Sequence, residues 1–390
     1  MKILMIAPVP FLEPRGTPLA VLGRARVLSL LGHDVDLLTY HMGQDVSIPG
    51  LTVYRTPSFN FIKDVPVGPS MAKVFLDFFV LVKAVRMIIG NSYDLILTAE
   101  EGSIFGTVLA KFFKLPHLYD FHSSVPQALG NFGYDRFPSL IRVFEWIERI
   151  IIRKSNALIA ISPELANYVR KIDENIPIAM IENTFEAVDA KSISVESVRK
   201  LREEYSLSDG KKIILYVGTF ERYQGLDLLI ESAEIVSKHI NAVKFVLVGG
   251  KSGQIEYFRK ITGVKGLSSF FLFTGIRPPE EIPIFINMAN VLVSPRVKGL
   301  NPPLKIYSYL SSGKPIVATN HLSHTQVLNP GIAHLVDPNP VEIAKGIIYI
   351  LENPGLGRKL GERARKFFEK NYSYDKVVES TDKILNLAVK

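Results

Sequence analysis

Near neutral pH, histidine is the side chain best suited to move a proton or to hydrogen-bond a substrate hydroxyl. His122 closes the run Leu118-Tyr-Asp-Phe-His-Ser-Ser124, which brings an imidazole, a carboxylate and two hydroxyls to one end of a strand-like segment. Glu100 and Glu101 directly follow a second such segment, Asp94-Leu-Ile-Leu-Thr-Ala99, and offer a general base or a clamp on substrate hydroxyls. One of the two also suits the positive end of the helix that follows. The loop Pro10-Phe-Leu-Glu-Pro-Arg-Gly-Thr-Pro18 sets Gly16 and Thr17 at a turn, with Pro18 expected at the first helical position. A glycine there lets an acceptor or a phosphate approach the backbone. The G-x-G-x-x-G spacing is absent, which argues against a nicotinamide-dependent enzyme.

The second half carries chemistry of a different sign. Tyr216-Val-Gly-Thr-Phe-Glu-Arg-Tyr-Gln-Gly-Leu-Asp227 reads as a strand, a loop with Gly218, Thr219, Arg222, Gln224 and Gly225, and then a helix. Such a loop presents backbone N–H groups and a helix N-terminus to a diphosphate. Gly249 and Gly250 end the next strand in the same way. In the stretch from Ser294 to Ser308, Arg296, Lys298 and Lys305 crowd one loop. Pro302 and Pro303 stiffen the start of a helix that carries Leu304 and Ser308. Isolated cations are usually solvated surface charge. This cluster, at a strand end and a helix start, reads instead as a phosphate site.

These residues need a scaffold that turns strand ends toward one crevice. Strands are expected at Lys2 to Pro8, Asp34 to Tyr40, Leu51 to Arg55, Asp94 to Ala99, His117 to Phe121, Ala157 to Ile161 and Ile178 to Ile181. Helices are expected between them, notably Pro18 to Leu31, Met71 to Ile89, Ile104 to Phe113 and Leu140 to Lys154. The strand runs are continuously apolar rather than alternating, the mark of parallel strands covered on both faces. A polar, strandless segment then leads to a second series at Ile213 to Gly218, Lys244 to Val248, Phe270 to Thr274, Asn290 to Ser294 and Pro315 to Thr319, with helical patterns from Pro340 to Val389. The expected fold class is α/β, with two doubly wound domains facing across a cleft. In such sheets ligands bind beyond the carboxyl ends of the strands.

Composition narrows the function. A chain of 390 residues with 47% hydrophobic and 22% charged content is too long for one ordinary domain. Cysteine is absent, which removes disulfides, thiolate metal sites and cysteine nucleophiles. The apolar stretch from Met71 to Gly90 is broken by Lys73, Asp77, Lys83 and Arg86, so no membrane span is expected. The opening Met1 to Pro10 reaches Glu13 and Arg15 without a cleavage pattern and reads as a buried strand, which suggests a cytoplasmic protein. The net charge of +8 is uneven: residues 1–185 hold 18 Lys and Arg against 17 Asp and Glu, the remainder 28 against 21. Basic runs with interleaved aromatics are absent, so a phosphorylated small molecule is a better partner than nucleic acid.

With these pieces in order, the chain resembles the family-4 (group 1) retaining glycosyltransferases of the GT-B fold over nearly its whole length. The resemblance rests on the opening loop through Gly16, the helix ending Leu31-Gly-His-Asp-Val35, His122, Ile161-Ser162, Glu182-Asn183, Gly218, Gly225 and Gly313-Lys-Pro-Ile-Val-Ala-Thr319. It implies an acceptor-binding Rossmann-like domain over 1–185, a linker region at 186–210, a nucleotide-sugar-binding Rossmann-like domain over 211–372, and a C-terminal helix at 373–390 returning to the first domain. It also implies His122 at the reacting sugar, a nucleotide-diphosphate sugar as co-substrate, no further cofactor and no metal. Where the family often has Arg and Lys beside the two loop glycines, this chain has Thr219 and Gln224. Where the family has a Glu pair, it has Leu300 and Ser308. Arg222, Arg296, Lys298 and Lys305 are the candidates to replace the charge, and Glu101 the lost carboxylate.

The expected activity is transfer of a hexose, with retention, to a sugar, lipid-linked or small-molecule acceptor held near Gly16, Thr17 and Glu100. The alternatives are a catalytically silent GT-B protein that binds a nucleotide sugar or a partner, and a nucleotide-sugar epimerase. The basic amphipathic run Phe137 to Lys154 has two readings. Preference goes to a core-packed helix whose charged face is diluted by Glu145 and Glu148. The other reading is peripheral contact with the inner membrane face, delivering a lipid-linked acceptor.

Overall fold

Strand-forming runs such as Ile3 to Ile6 are fully buried, as expected where helices cover both faces of a sheet. The computed structural model describes residues 1–13, 16–62, 64–66, 68, 70–131, 134–182, 193–207, 210–299 and 301–390. Arg15, Asn183, Leu300 and residues 186–192 and 208–209 of the expected linker lie outside the described residues. The chain divides into two units, Met1–Phe185 with Tyr374–Lys390, and Glu186–Ser373.

The first unit runs β1 (Lys2–Ile6), α1 (Gly16–Leu30), β2 (Asp34–Thr39), β3 (Leu51–Arg55), α2 (Met71–Gly90), β4 (Leu95–Ala99), α3 (Gly102–Phe113), β5 (His117–Phe121), α4 (Val125–Asn131), α5 (Pro138–Lys154), β6 (Ala157–Ala160), α6 (Pro163–Ile172) and β7 (Ile178–Met180). Among the described residues its seven strands are parallel in the order β3-β2-β1-β4-β5-β6-β7. Met5, Leu97 and Leu118 face one side, where α1 packs; Ile6, Ile96 and Tyr119 face the other, where α2, α3 and α5 pack. The order reverses between β1 and β4, so the loops after those two strands diverge to opposite faces and leave a crevice.

The second unit runs α7 (Val195–Glu204), β8 (Lys212–Val217), α8 (Leu226–His239), β9 (Val243–Val248), α9 (Ser252–Val264), β10 (Phe271–Gly275), α10 (Ile282–Met288), β11 (Val291–Ser294), α11 (Leu304–Ser312), β12 (Ile316–Thr319), α12 (Leu322–Thr325), β13 (His334–Val336), α13 (Pro340–Glu352) and α14 (Pro354–Asn371). Among the described residues the six strands are parallel in the order β10-β9-β8-β11-β12-β13, with the reversal between β8 and β11. The last helix, α15 (Tyr374–Ala388), belongs to the first unit, where Val377, Ile384 and Leu385 join the core beneath α1.

Several expectations are corrected. Helix α1 begins at Gly16, so Pro18 stands inside its first turn, where a missing N–H is still tolerated. The segment 186–210 is not a bare linker: Val198, Leu201 and Tyr205 recur at helical spacing on α7 and its cap, and Leu201 is buried in the second unit's core with Leu207. Strand β13, His334-Leu-Val336, is not among the expected strands. Glu148 does not dilute a charged surface on α5. It is buried, and its carboxylate accepts from Ser124 Oγ at 2.8 Å and from the Val125 amide at 3.0 Å, which caps α4. Among the described residues no helix is long and apolar enough to cross a membrane.

Candidate active site

In the first unit the polar residues gather at the β1/β4 reversal. Glu100, at the end of β4, takes a left-handed φ of 52°, rare for a residue with a side chain and a mark of imposed geometry. Its carboxylate accepts from Thr17 Oγ1 at 2.8 Å and from Ser123 Oγ at 3.3 Å, so it ties the start of α1 to the loop after β5. Gly16 has open space where a Cβ would stand. Among the described residues nothing requires glycine there.

His122 is buried, its Nε2 3.2 Å from Asp120 Oδ2. Asp120 is also gripped by Arg24 through Nε at 3.0 Å and Nη2 at 3.4 Å, and Arg24 reaches on to Thr381 Oγ1 of α15 at 3.3 Å. Burial alone would raise the Asp120 carboxyl, but Arg24 and His122 hold it well below the usual carboxylate range. Burial likewise pulls the His122 imidazole down, and the Asp120 charge, its hydrogen bond and the more distant Glu100 outweigh that pull, so its pKa is raised. The buried Asp120 carboxylate thereby orients the His122 imidazole.

Glu101 is set apart from this group. Its Oε1 pairs with Lys73 Nζ of α2 at 2.8 Å, and its Oε2 is buried without a hydrogen-bond partner among the described residues. Next to it, Asp77 accepts from the Tyr40 hydroxyl at 2.7 Å, and burial pushes the Asp77 carboxyl up to about 7. Glu182, which follows β7, is also buried and pushed up to about 7. Sequence reasoning missed Arg24, Lys73, Tyr40 and Asp77. For Arg24 a signal existed: it falls in the stripe of Val21, Ala25 and Leu28, where only apolar residues belong.

The second unit's site forms at the β8/β11 reversal. A Cβ at Gly225, whose φ is +72°, would stand 2.1 Å from the Pro295 carbonyl oxygen, so glycine lets the loops after β8 and β11 touch. A Cβ at Gly249 would stand 2.1 Å from the Gly218 carbonyl oxygen, which closes the loop after β9 onto the same point. Into this junction Lys305, half-buried in the first turn of α11, projects its Nζ. It donates to Gln224 Oε1 at 3.2 Å and sits 3.7 Å from the centre of the Tyr216 ring. Arg296, also half-buried, has its guanidinium 5.1 Å from the Tyr223 ring and donates through Nε to the Lys298 carbonyl at 2.7 Å. Among the described residues no carboxylate lies within ion-pair distance of either cation. Burial, and then the Arg296 charge, pushes the Lys305 ammonium well down; burial also lowers Arg296.

The remaining residues fall into place around this pair. The Thr219 carbonyl accepts from the Tyr216 hydroxyl at 2.7 Å. Pro303 caps α11 without a side-chain acceptor, so the first amides of that helix, at Leu304 and Lys305, keep their positive end. Ser308 follows Leu304 by one helical turn. Arg222 and Lys298 are exposed. Behind the loop, buried His324 bridges Ser294 Oγ at 2.8 Å and the Thr319 carbonyl at 2.9 Å, and Thr319 Oγ1 donates to the Arg296 carbonyl. This network fixes the loop that carries Arg296. Among the described residues no three His, Asp or Glu side chains gather as metal ligands.

Two Rossmann-like sheets, each with its polar residues at the strand-order reversal, define a GT-B protein. The description "Glycosyltransferase Family 4" matches residues 16–186, and "Glycosyl transferases group 1" matches residues 197–367. The chain belongs to this family of glycosyltransferases. An uncharacterized glycosyltransferase of Methanocaldococcus jannaschii is 25% identical over 353 residues, 86% of this chain and 84% of that one. The alpha-D-kanosaminyltransferase of Streptomyces kanamyceticus is 26% identical over 59% of this chain and 60% of its own length. Among solved structures, Anabaena HepE in complex with UDP-glucose superposes with a TM-score of 0.78 at 16% identity, covering 99% of each chain. Sucrose-phosphate synthase from Thermosynechococcus elongatus gives 0.77 at 20% identity, over 99% of this chain and 98% of that one. At these identities the structural likeness speaks for the fold.

Proposed function

We propose that the protein is a cytoplasmic hexosyltransferase that uses a nucleotide-diphosphate sugar and transfers with retention at the anomeric carbon, without a resident metal. The observation that carries this reading is the pair Lys305 and Arg296, two half-buried cations with no carboxylate partner among the described residues, beside the amides of α11. Desolvated charges are costly unless a counter-ion completes them, and a diphosphate supplies the matching charge. HepE, of the same fold, has been solved with UDP and with UDP-glucose, which supports the assignment of a nucleotide sugar.

In the proposed step the bond from the anomeric carbon to the phosphate oxygen breaks while the acceptor oxygen bonds to that carbon on the same face. The acceptor proton passes to the leaving phosphate oxygen. Lys305, Arg296 and the α11 amides hold the charge that develops there. His122, oriented by Asp120, donates to a hydroxyl of the reacting sugar, and Thr17, Glu100 and the open space at Gly16 receive the acceptor.

A panel of UDP-, GDP- and ADP-sugars, assayed for nucleotide release with and without simple acceptors, tests the reading. Acceptor-stimulated release from one donor class supports it. Tight nucleotide binding without release under any condition would point to a silent binding protein, and donor conversion without acceptor to an epimerase.

A further inference from the structure

No helix of the second unit exposes more than two large apolar side chains among the described residues, whereas α2 exposes five, α3 three and α5 four. They recur at helical spacing. On α2 the ridge begins with Met71, Val74, Phe75 and Phe78; on α3 it is Ile104, Val108 and Phe112. On α5 it is Leu140, Val143, Trp146 and Ile150. The three helices cover the same face of the first sheet, with α3 packed beside both α2 and α5, so the ridges look outward together. Apolar ridges on three neighbouring helices are the kind of surface that marks an interaction site.

The charges decide what covers it. Every exposed charged side chain on α2, α3 and α5 is a cation: Arg86, Lys111, Arg142, Arg149, Arg153 and Lys154. The carboxylates of the same helices are turned inward. Asp77 takes the Tyr40 hydroxyl, Glu148 is buried, and Glu145 is half-buried. A second copy would set cation against cation. We infer that the α2–α3–α5 face docks on an anionic lipid bilayer, its ridges entering the acyl boundary and its arginines and lysines reaching the headgroups. Lys73 of α2 pairs with Glu101 beside the first-unit site. Taken with the acceptor reading above, on which this last step rests, docking presents that site to a lipid-borne acceptor hydroxyl.

Trp146 is the chain's one tryptophan and stands 64% exposed on the α5 ridge, so its emission reports this face alone. The full chain should float with phosphatidylcholine vesicles that contain phosphatidylglycerol, with a blue shift of Trp146 emission, and should not float with phosphatidylcholine alone. Arg149→Glu/Arg153→Glu should weaken this on the order of tenfold or more, and Val143→Asp/Phe112→Asp should abolish it, with thermal melts unchanged. Tyr257→Asp on α9 should bind as wild type. Absence of anionic-vesicle binding at low salt, or equal binding by the charge-reversed variant, would overturn the inference. So would self-association in sedimentation velocity that Val143→Asp/Phe112→Asp removes while vesicles are ignored. Vesicle binding is read without any transfer assay, so its failure is distinct from failure of the proposed activity.

Discussion

Lys305 on α11 donates to Gln224 across the strand-order reversal of the second sheet, at 3.2 Å, and so brings the cation of the helix after β11 to the loop after β8. Lys305→Ala should therefore weaken nucleotide-diphosphate binding by about 1.5 to 3 kcal/mol, the worth of a charged hydrogen bond. The swap Lys305→Gln/Gln224→Lys should regain most of the loss in a binding titration. A swap as weak as the single variant would show that the position of the charge is not what matters.

Under the proposed function His122 and the cation pair have separate tasks. His122→Ala should lower turnover by a factor on the order of a hundred while nucleotide affinity stays near wild type. The comparison needs kcat and the nucleotide Kd from the same preparation, and a parallel loss of both would assign His122 to donor binding instead.

Arg24 holds the buried Asp120 carboxylate and reaches Thr381. Arg24→Leu leaves that charge without its main partner, which should cost about 3 to 5 kcal/mol in denaturant unfolding. Arg24→Leu/Asp120→Asn should recover part of this, since the buried charge goes with its partner.

Two buried histidines make stability fall in acid. Burial drives His117 and His324 down to about 3, below the ordinary 6.5, so between those values the unfolded chain binds protons that the folded chain does not. Stability then rises with pH across that window, with a slope of up to about 1.4 kcal/mol per pH unit for each histidine. His122 has the opposite sign: its raised pKa adds stability that is full below 6.5 and lost as pH rises through the folded value. Melts of wild type and His324→Gln from pH 4 to 7 check this, the variant showing the shallower dependence.

The strand ends, and hence His122, Glu100 and Arg296, were legible in the sequence because uninterrupted apolar runs mark parallel strands and the next polar residue must lie at the crevice. What could not be read is which polar residues meet. Glu100 and Glu101 are neighbours in sequence, yet the left-handed turn at Glu100 sends one carboxylate to Thr17 and Ser123 and the other to Lys73. Glu148 looked like surface charge because its partners, Ser124 and the Val125 amide, come from a helix too short to show a period. Lys305, Arg296 and Lys298 were indistinguishable as cations; only folding turns two of them inward and leaves Lys298 exposed.

The position of a bound nucleotide's phosphates tests the proposed phosphate site most directly. A crystal structure of the protein with its preferred nucleoside diphosphate should place phosphate oxygens within about 3 Å of Lys305 Nζ and of the first amides of α11, with Arg296 alongside. Phosphates seated elsewhere, with Lys305 still turned to Gln224 and Tyr216 alone, would contradict it.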